Sequence, residues 1–217
     1  MAEITDAMLE ELRKYVVSTL SPHRAAHVLS VERTAAYMAE LLLPQKIASV
    51  RCAALLHDIT KELNSKKHLQ ILGECGIIIS DEYQTTPSLL HSVTATAVIP
   101  SLFPELATGE ILSAVRWHTT GKPDMSVMDK IIFLADYIED GRTYESCIAV
   151  REYFHGVPLA DMTLPERLHH LDCTVLECLD SMIRVLEREK VRVCPDSIKA
   201  RDALKISIMK GNENGYQ

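Results

Sequence analysis

Hydrophobic residues recur at helical spacing along most of this 217-residue chain. A single short run, Ile77-Ile78-Ile79, has strand character, and it is too short and isolated to build a sheet. Glycine is sparse, with 8 in all. The pattern therefore predicts an all-α fold. Val28, Val31, Ala35, Met38 and Leu42 form one helical face that Pro44 terminates. A second helix starts near Ile47 and runs through Val50, Ala54 and Leu55 into His57-Asp58. A third begins near His91, carries Ala95 and Val98, and stops before Pro100. A fourth holds Ile111, Val115 and His118 and ends at Thr119-Thr120-Gly121-Lys122-Pro123. A fifth opens at Ser126 with Asp129 as capping-box partner and continues through Met128, Ile132, Ala135 and Asp136. The longest contains Leu168, Leu171, Val175, Leu179, Met182 and Leu186, with Arg184, Glu187, Arg188 and Glu189 at its solvated end. A short helix is expected after Pro195. The expected organisation is one domain over residues 1–210, with C-terminal helices across 164–208 and a frayed polar tail over 211–217. The segment from Asn64 to Leu90 is expected to be partly irregular. The stripe Met8, Leu9, Leu12, Val16 suits either the core or an interface.

Composition narrows the functional classes. Hydrophobic residues make up 47% of the chain, enough for a real core, but no apolar run has the length needed to span a bilayer. The acidic start, Met1-Ala2-Glu3-Ile4-Thr5-Asp6, lacks the layout of a signal peptide, so a cytoplasmic location is expected. The six cysteines form no Cys-x-x-Cys pair, which argues against a zinc knuckle, and most are expected to be buried thiols. The net charge of −7 excludes a basic nucleic-acid surface. A phosphate substrate would then depend on bound cations and a few local Lys and Arg. A homodimer is the base-rate expectation for a soluble oligomer.

The chemistry lies in the placement of His27, His57-Asp58, His91, His118 and Asp136. A lone His-Asp pair means little, since about half a pair is expected by chance in a chain of this composition. Here each histidine falls on or at the end of a different helix, and Asp136 lies on yet another. All have apolar neighbours: Val28, Leu55-Leu56, Leu89-Leu90, Val115 with Trp117, and Leu134-Ala135. Helices converging inward can build one buried site from facing side chains. Burying four imidazoles and two carboxylates unpartnered would cost several kcal/mol each, which metal coordination offsets. His68, His155, His169 and His170 fall outside the pattern and are read as surface or packing residues.

The order His…His-Asp…His…His…Asp resembles the HD-domain superfamily of metal-dependent phosphohydrolases. More narrowly, five segments resemble the YqeK family: Arg24-x-x-His27, Ala53 to Lys61, Leu90-His91-Ser92, His118-Thr119-Thr120-Gly121, and Lys130 to Glu139. The likeness runs from about Arg24 to Arg142 and returns weakly over Pro195 to Arg201. It departs at Asp140-Gly141, where that family has Pro after Glu139. The resemblance implies a helical bundle with a buried dinuclear site in a bacterial enzyme that hydrolyses dinucleoside tetraphosphates symmetrically. Diadenosine tetraphosphate would then give two molecules of ADP.

The resemblance further implies that His27, His57, Asp58 and Asp136 hold one metal. Asp58 bridges to a second, bound by His91 and His118. Two adjacent cations can activate a water, so no protein nucleophile is required. Imidazole-rich ligation suits iron, manganese, cobalt or zinc over calcium or magnesium; the family favours iron. Lys61 is the implied phosphate-binding lysine. Arg24, one turn before His27, and Arg142, just past the Asp136 helix, can grip phosphate bidentately or form ordinary ion pairs. Thr119 can border the phosphates or merely end a helix, and Tyr137 can contact a base or pack in the core. Two other readings remain open: another HD-type nucleotidase or phosphodiesterase, and a metal-dependent nucleotide sensor without turnover. The Gly-Tyr-Pro motif usual in cyclic-dinucleotide phosphodiesterases of this superfamily is absent.

Overall fold

The computed structural model describes residues 4–80, 83 and 85–213. Among them the regular structure is entirely helical: α1 Asp6–Thr19, α2 Pro22–Leu42, α3 Ile47–Leu56, α4 Ser65–Glu74, α5 Leu90–Leu102, α6 Gly109–Trp117, α7 Val127–Ile138, α8 Glu145–His155, α9 Leu164–Arg188 and α10 Pro195–Glu213, with short 3-10 turns between some of them. The all-α expectation holds. Ile77-Ile78-Ile79 forms no strand, and Ile78 is 98% exposed.

The organising element is α3. Val50, Cys52, Ala53, Ala54, Leu55 and Leu56 are all fully buried, so this helix is apolar nearly all round. α1, α2, α6 and α7 pack against it. A helix surrounded in this way ends in the interior, and that places His57-Asp58 at the centre of the molecule. Leu9, Leu12 and Val16 of α1 belong to the same core, so the N-terminal stripe is core. α9 lies against α2, α7, α8 and α10 and buries Leu171, Val175, Cys178 and Leu179. No helix among the described residues is long and apolar enough to cross a membrane.

Four features differ from expectation. α5 runs through Pro100 to Leu102; a proline in the last turn forfeits one backbone bond and leaves the preceding turns intact. The helix after Pro195 is long, reaching Glu213. Its buried stripe is Ser197, Ala200 and Leu204, too small and polar to stand out in a hydrophobic pattern. Residues 211–213, expected to fray, lie within that helix, and 214–217 fall outside the described residues. The sequence pattern left α4 and α8 unassigned; each buries a narrow stripe, His68 and Leu72 in one, Cys147, Val150 and Phe154 in the other. Six free thiols, four of them buried, match the cysteine reading.

Candidate metal centre

The helices deliver the predicted donors to one place, each for a local reason. α2 starts at Ser21, whose hydroxyl accepts from the Arg24 N–H, with Pro22 in its first turn. Ser21 N–H donates to Glu62 Oε2 at 2.8 Å, and the Ser21 hydroxyl bonds the other carboxylate oxygen. Glu62 therefore ties the start of α2 to the segment carrying Asp58 and Lys61. Thr60 donates to the His91 carbonyl at 2.8 Å, joining that segment to α5. α7 opens with the expected Ser126–Asp129 capping box and brings Asp136 in near its end.

Each histidine is oriented by its Nδ1. His57 donates to the Ala54 carbonyl at 2.6 Å, His91 to Ser88 at 2.7 Å and His118 to Val115 at 2.7 Å. His57 and His118 sit at the C-terminal ends of α3 and α6, where helix carbonyls have no intrahelical partner. His27 instead donates to Glu139 Oε1 at 3.1 Å. With Nδ1 holding the proton, Nε2 of each ring is a lone pair facing inward, the tautomer a metal ligand requires.

What faces inward is almost all acceptor. His91 Nε2 lies 3.0 Å from His118 Nε2, and Asp58 Oδ1 is 3.2 and 3.7 Å from the two. On the other side Asp58 Oδ2 is 3.7 Å from His27 Nε2 and 3.6 Å from His57 Nε2. Asp136 Oδ1 is 3.1 and 4.0 Å from the same two nitrogens. The Nε2 atoms of His27 and His57 and Oδ1 of Asp58 are buried without a hydrogen bond. Lone pairs packed this closely call for a cation. Ligands about 2.0–2.2 Å from an ion stand roughly 3–3.5 Å from each other, close to the spacing here. Two sets of donors within 4.8 Å, His27 with His57 and Asp136, and His57 with Asp58 and His118, fit a metal. These residues fit a bound metal, and the two oxygens of Asp58 face different donor groups.

Three cations border the cluster. Arg24 Nη1 donates to Asp58 Oδ2 at 2.8 Å. Arg142 Nη2 donates to Asp136 Oδ1 at 2.5 Å, and its Nε to the Asp136 carbonyl at 2.9 Å. Lys61 Nζ is 3.3 Å from both ring nitrogens of His91. Burial pushes His57 down to about 4. Burial, with His118 nearby, also takes His91 well below the usual histidine value. Burial would raise Asp58, but His57, His118, His91 and Lys61 together hold it well below the carboxylate range. His27 goes the other way: burial lowers it, but the carboxylates of Asp136 and Glu139 beside it raise it overall.

Glu139 closes the Lys130 to Glu139 segment, and the sequence predicts no role for it. It is buried, it orients His27, and it accepts from Gly141 N–H at 2.6 Å. Burial would raise it, yet the bonds from His27, Ser30 and Gly141 hold it at about 2. The available signal was spacing, since Glu139 follows Asp136 by three residues, at the C-terminal cap of α7. Gly141 lies close against this carboxylate: a Cβ there would stand 2.9 Å from Glu139 Oε2. Two predicted residues lie off the cluster. Thr119 Oγ1 is buried and unpartnered. Tyr137 packs against the core and lines a neighbouring cleft.

Two clefts reach the donors. One, of about 760 Å³, is lined by Arg24, His27, Glu139 and Arg142. The other, of about 300 Å³, is lined by Lys61, His68, Ser88 and His91. Each touches a different donor group.

The HD domain family profile matches residues 24–141, a span that contains all six donors. A Staphylococcus aureus protein named symmetrical bis(5'-nucleosyl)-tetraphosphatase is 29% identical over 158 residues, 73% of this chain and 80% of that protein. Proteins of the same name from Halalkalibacterium halodurans and Bacillus subtilis are 33% identical over 132 residues and 31% over 144, covering 69% and 75% of those proteins and 61% and 66% of this chain. A Clostridium acetobutylicum crystal structure named as a predicted HD superfamily hydrolase involved in NAD metabolism superposes with a TM-score of 0.78 at 26% identity, over 91% of this chain and 97% of that one. The chain therefore belongs to the HD domain family of metal-dependent phosphohydrolases, in its YqeK group.

Proposed function

We propose that this protein is a dinuclear hydrolase that splits dinucleoside tetraphosphates, diadenosine tetraphosphate among them, into two nucleoside diphosphates. The observation that carries this reading is the buried cluster of inward-facing acceptors divided between the two oxygens of Asp58. In this reading His27, His57, Asp58 and Asp136 hold one ion, and Asp58, His91 and His118 hold the other. The imidazole-rich set favours iron, with manganese, cobalt or zinc as substitutes. When bound, the ions supply water activation at neutral pH and neutralise phosphate charge.

The protein's own residues do the rest. Nδ1 bonds hold the imidazoles in register, and burial keeps bulk water from the donors. Three carboxylates, Asp58, Asp136 and Glu139, face Arg24, Arg142 and Lys61. Two divalent ions would leave this balance locally positive, which reconciles a polyphosphate substrate with a chain of net charge −7. Arg24 and Arg142 are bonded to Asp58 and Asp136, and would be free to grip phosphate with their planar forks if those carboxylates held ions. Lys61 meets the chain on the His91 side and carries charge on the departing diphosphate. Cations on two sides of the centre, each in its own cleft, suit a substrate with phosphates in the middle and a nucleoside at either end.

The test is turnover by metal-replete protein of a panel containing diadenosine tetraphosphate, diadenosine triphosphate, ATP, AMP and cyclic dinucleotides. The expected result is the highest kcat/KM for the tetraphosphate. Preference for a mononucleotide or a cyclic dinucleotide would transfer the protein to another HD activity. Tight binding without products would make it a sensor.

A further inference from the structure

A cleft of about 820 Å³ opens between the α7–α8 connection and the C-terminal half of α9. Its volume lies within the roughly 300–1,000 Å³ typical of small-molecule sites. None of the six donors lines it, yet it begins one residue beyond Asp136, at Tyr137. Arg142 and Tyr144 line both this cleft and the one over His27 and Arg24, so the two spaces meet at these side chains. Arg142 is also the guanidinium bonded to Asp136. A phosphate chain engaged at the metal centre and gripped by Arg142 would therefore lead into this cleft.

The lining is matched to a nucleoside, the group that a nucleotide carries at the end of its phosphates. Met182 and Val185 are partly buried and give an apolar wall. The hydroxyls of Ser146 and Ser181 line it too and can bond ribose or a base edge. Tyr144 is 71% exposed, leaving a flat aromatic face at the mouth with little packed on it. We propose that this cleft holds one nucleoside of the substrate, with its base stacked on Tyr144; the assignment rests on the tetraphosphatase reading above.

Two variants test it. Tyr144→Ala removes the stacking face from an exposed position where folding is not at stake, and Met182→Trp fills the cleft. The phosphate chain is followed separately through inhibition by inorganic tetraphosphate, which has no nucleoside. The expected result is a KM for diadenosine tetraphosphate raised roughly ten-fold, near the low end of what loss of one base–aromatic stack costs, with the tetraphosphate Ki little moved. A KM unmoved in both variants overturns the assignment. So do KM and Ki rising together, because the effect then passes through Arg142 and Asp136. If the parent protein does not hydrolyse diadenosine tetraphosphate at all, the tetraphosphatase reading fails first and this one falls with it.

Discussion

At the scale of single residues, the centre is governed by where protons sit. His57 and His91 are held below the ordinary histidine value of about 6.5. The unfolded chain therefore takes up protons at these rings, between pH 6.5 and about 4 for His57, that the folded chain refuses. Their contribution to stability is full above pH 6.5 and is lost as pH falls. His27, raised by Asp136 and Glu139, works the other way: its contribution is full below 6.5 and is lost as pH rises above it, so it opposes the trend only above that value. Metal-free protein should therefore show a thermal midpoint that drops steadily from pH 6.5 to pH 4.5. A flat profile over that range would mean that the rings are not shielded as described.

A paired substitution separates holding an ion from orienting its ligand. Asp58→Ala should release both ions, because its two oxygens serve both donor groups. Glu139→Gln should keep both sites but weaken the ion at His27 by about 10–100-fold, the usual cost of an outer-shell partner. Elemental analysis during chelator titration checks both, and full occupancy in Asp58→Ala would remove its bridging role. The six donors were legible because each interrupts an apolar helical stretch with a group that is expensive to bury. Glu139 was not, because an acidic residue at a helix end reads as solvated until the fold turns it onto His27.

At the scale of elements, the connection between α7 and α8 matters most, because it carries Glu139, Gly141 and Arg142 between Asp136 and the neighbouring cleft. A Cβ on Gly141 would stand 2.9 Å from Glu139 Oε2, so a side chain there requires the carboxylate to shift. Gly141→Ala should displace that carboxylate, loosen His27 and Arg142 together, and cost about 1–2 kcal/mol. For a chain this size that lowers the melting temperature by several degrees. An unchanged melting temperature and metal affinity would show that the connection yields freely. The helices were readable wherever a wide apolar face meets the core, as in α2, α7 and α9. α4, α8 and α10 were missed or shortened because their buried stripes are narrow or built of Cys, Ser, Ala and His. Whether Leu9, Leu12 and Val16 faced a partner or the core was decided by α3, whose all-round apolar surface needs α1 as a cover.

At the scale of the whole molecule, the fold sets a buried cluster of acceptors bordered by Arg24, Arg142 and Lys61 inside an acidic body, and the proposed function rests on what that cluster does to its substrate. If Arg24, Arg142 and Lys61 hold the phosphate chain on either side of the donor cluster, water attacks at one of the two central phosphorus atoms. One bond to the central bridging oxygen breaks, and both halves leave as diphosphates. The direct measurement is chromatography of the products formed from diadenosine tetraphosphate by metal-replete protein, followed from the first turnovers. Attack at a central phosphorus predicts ADP alone; ATP and AMP in equal amounts would place the cut at an outer phosphate and contradict it.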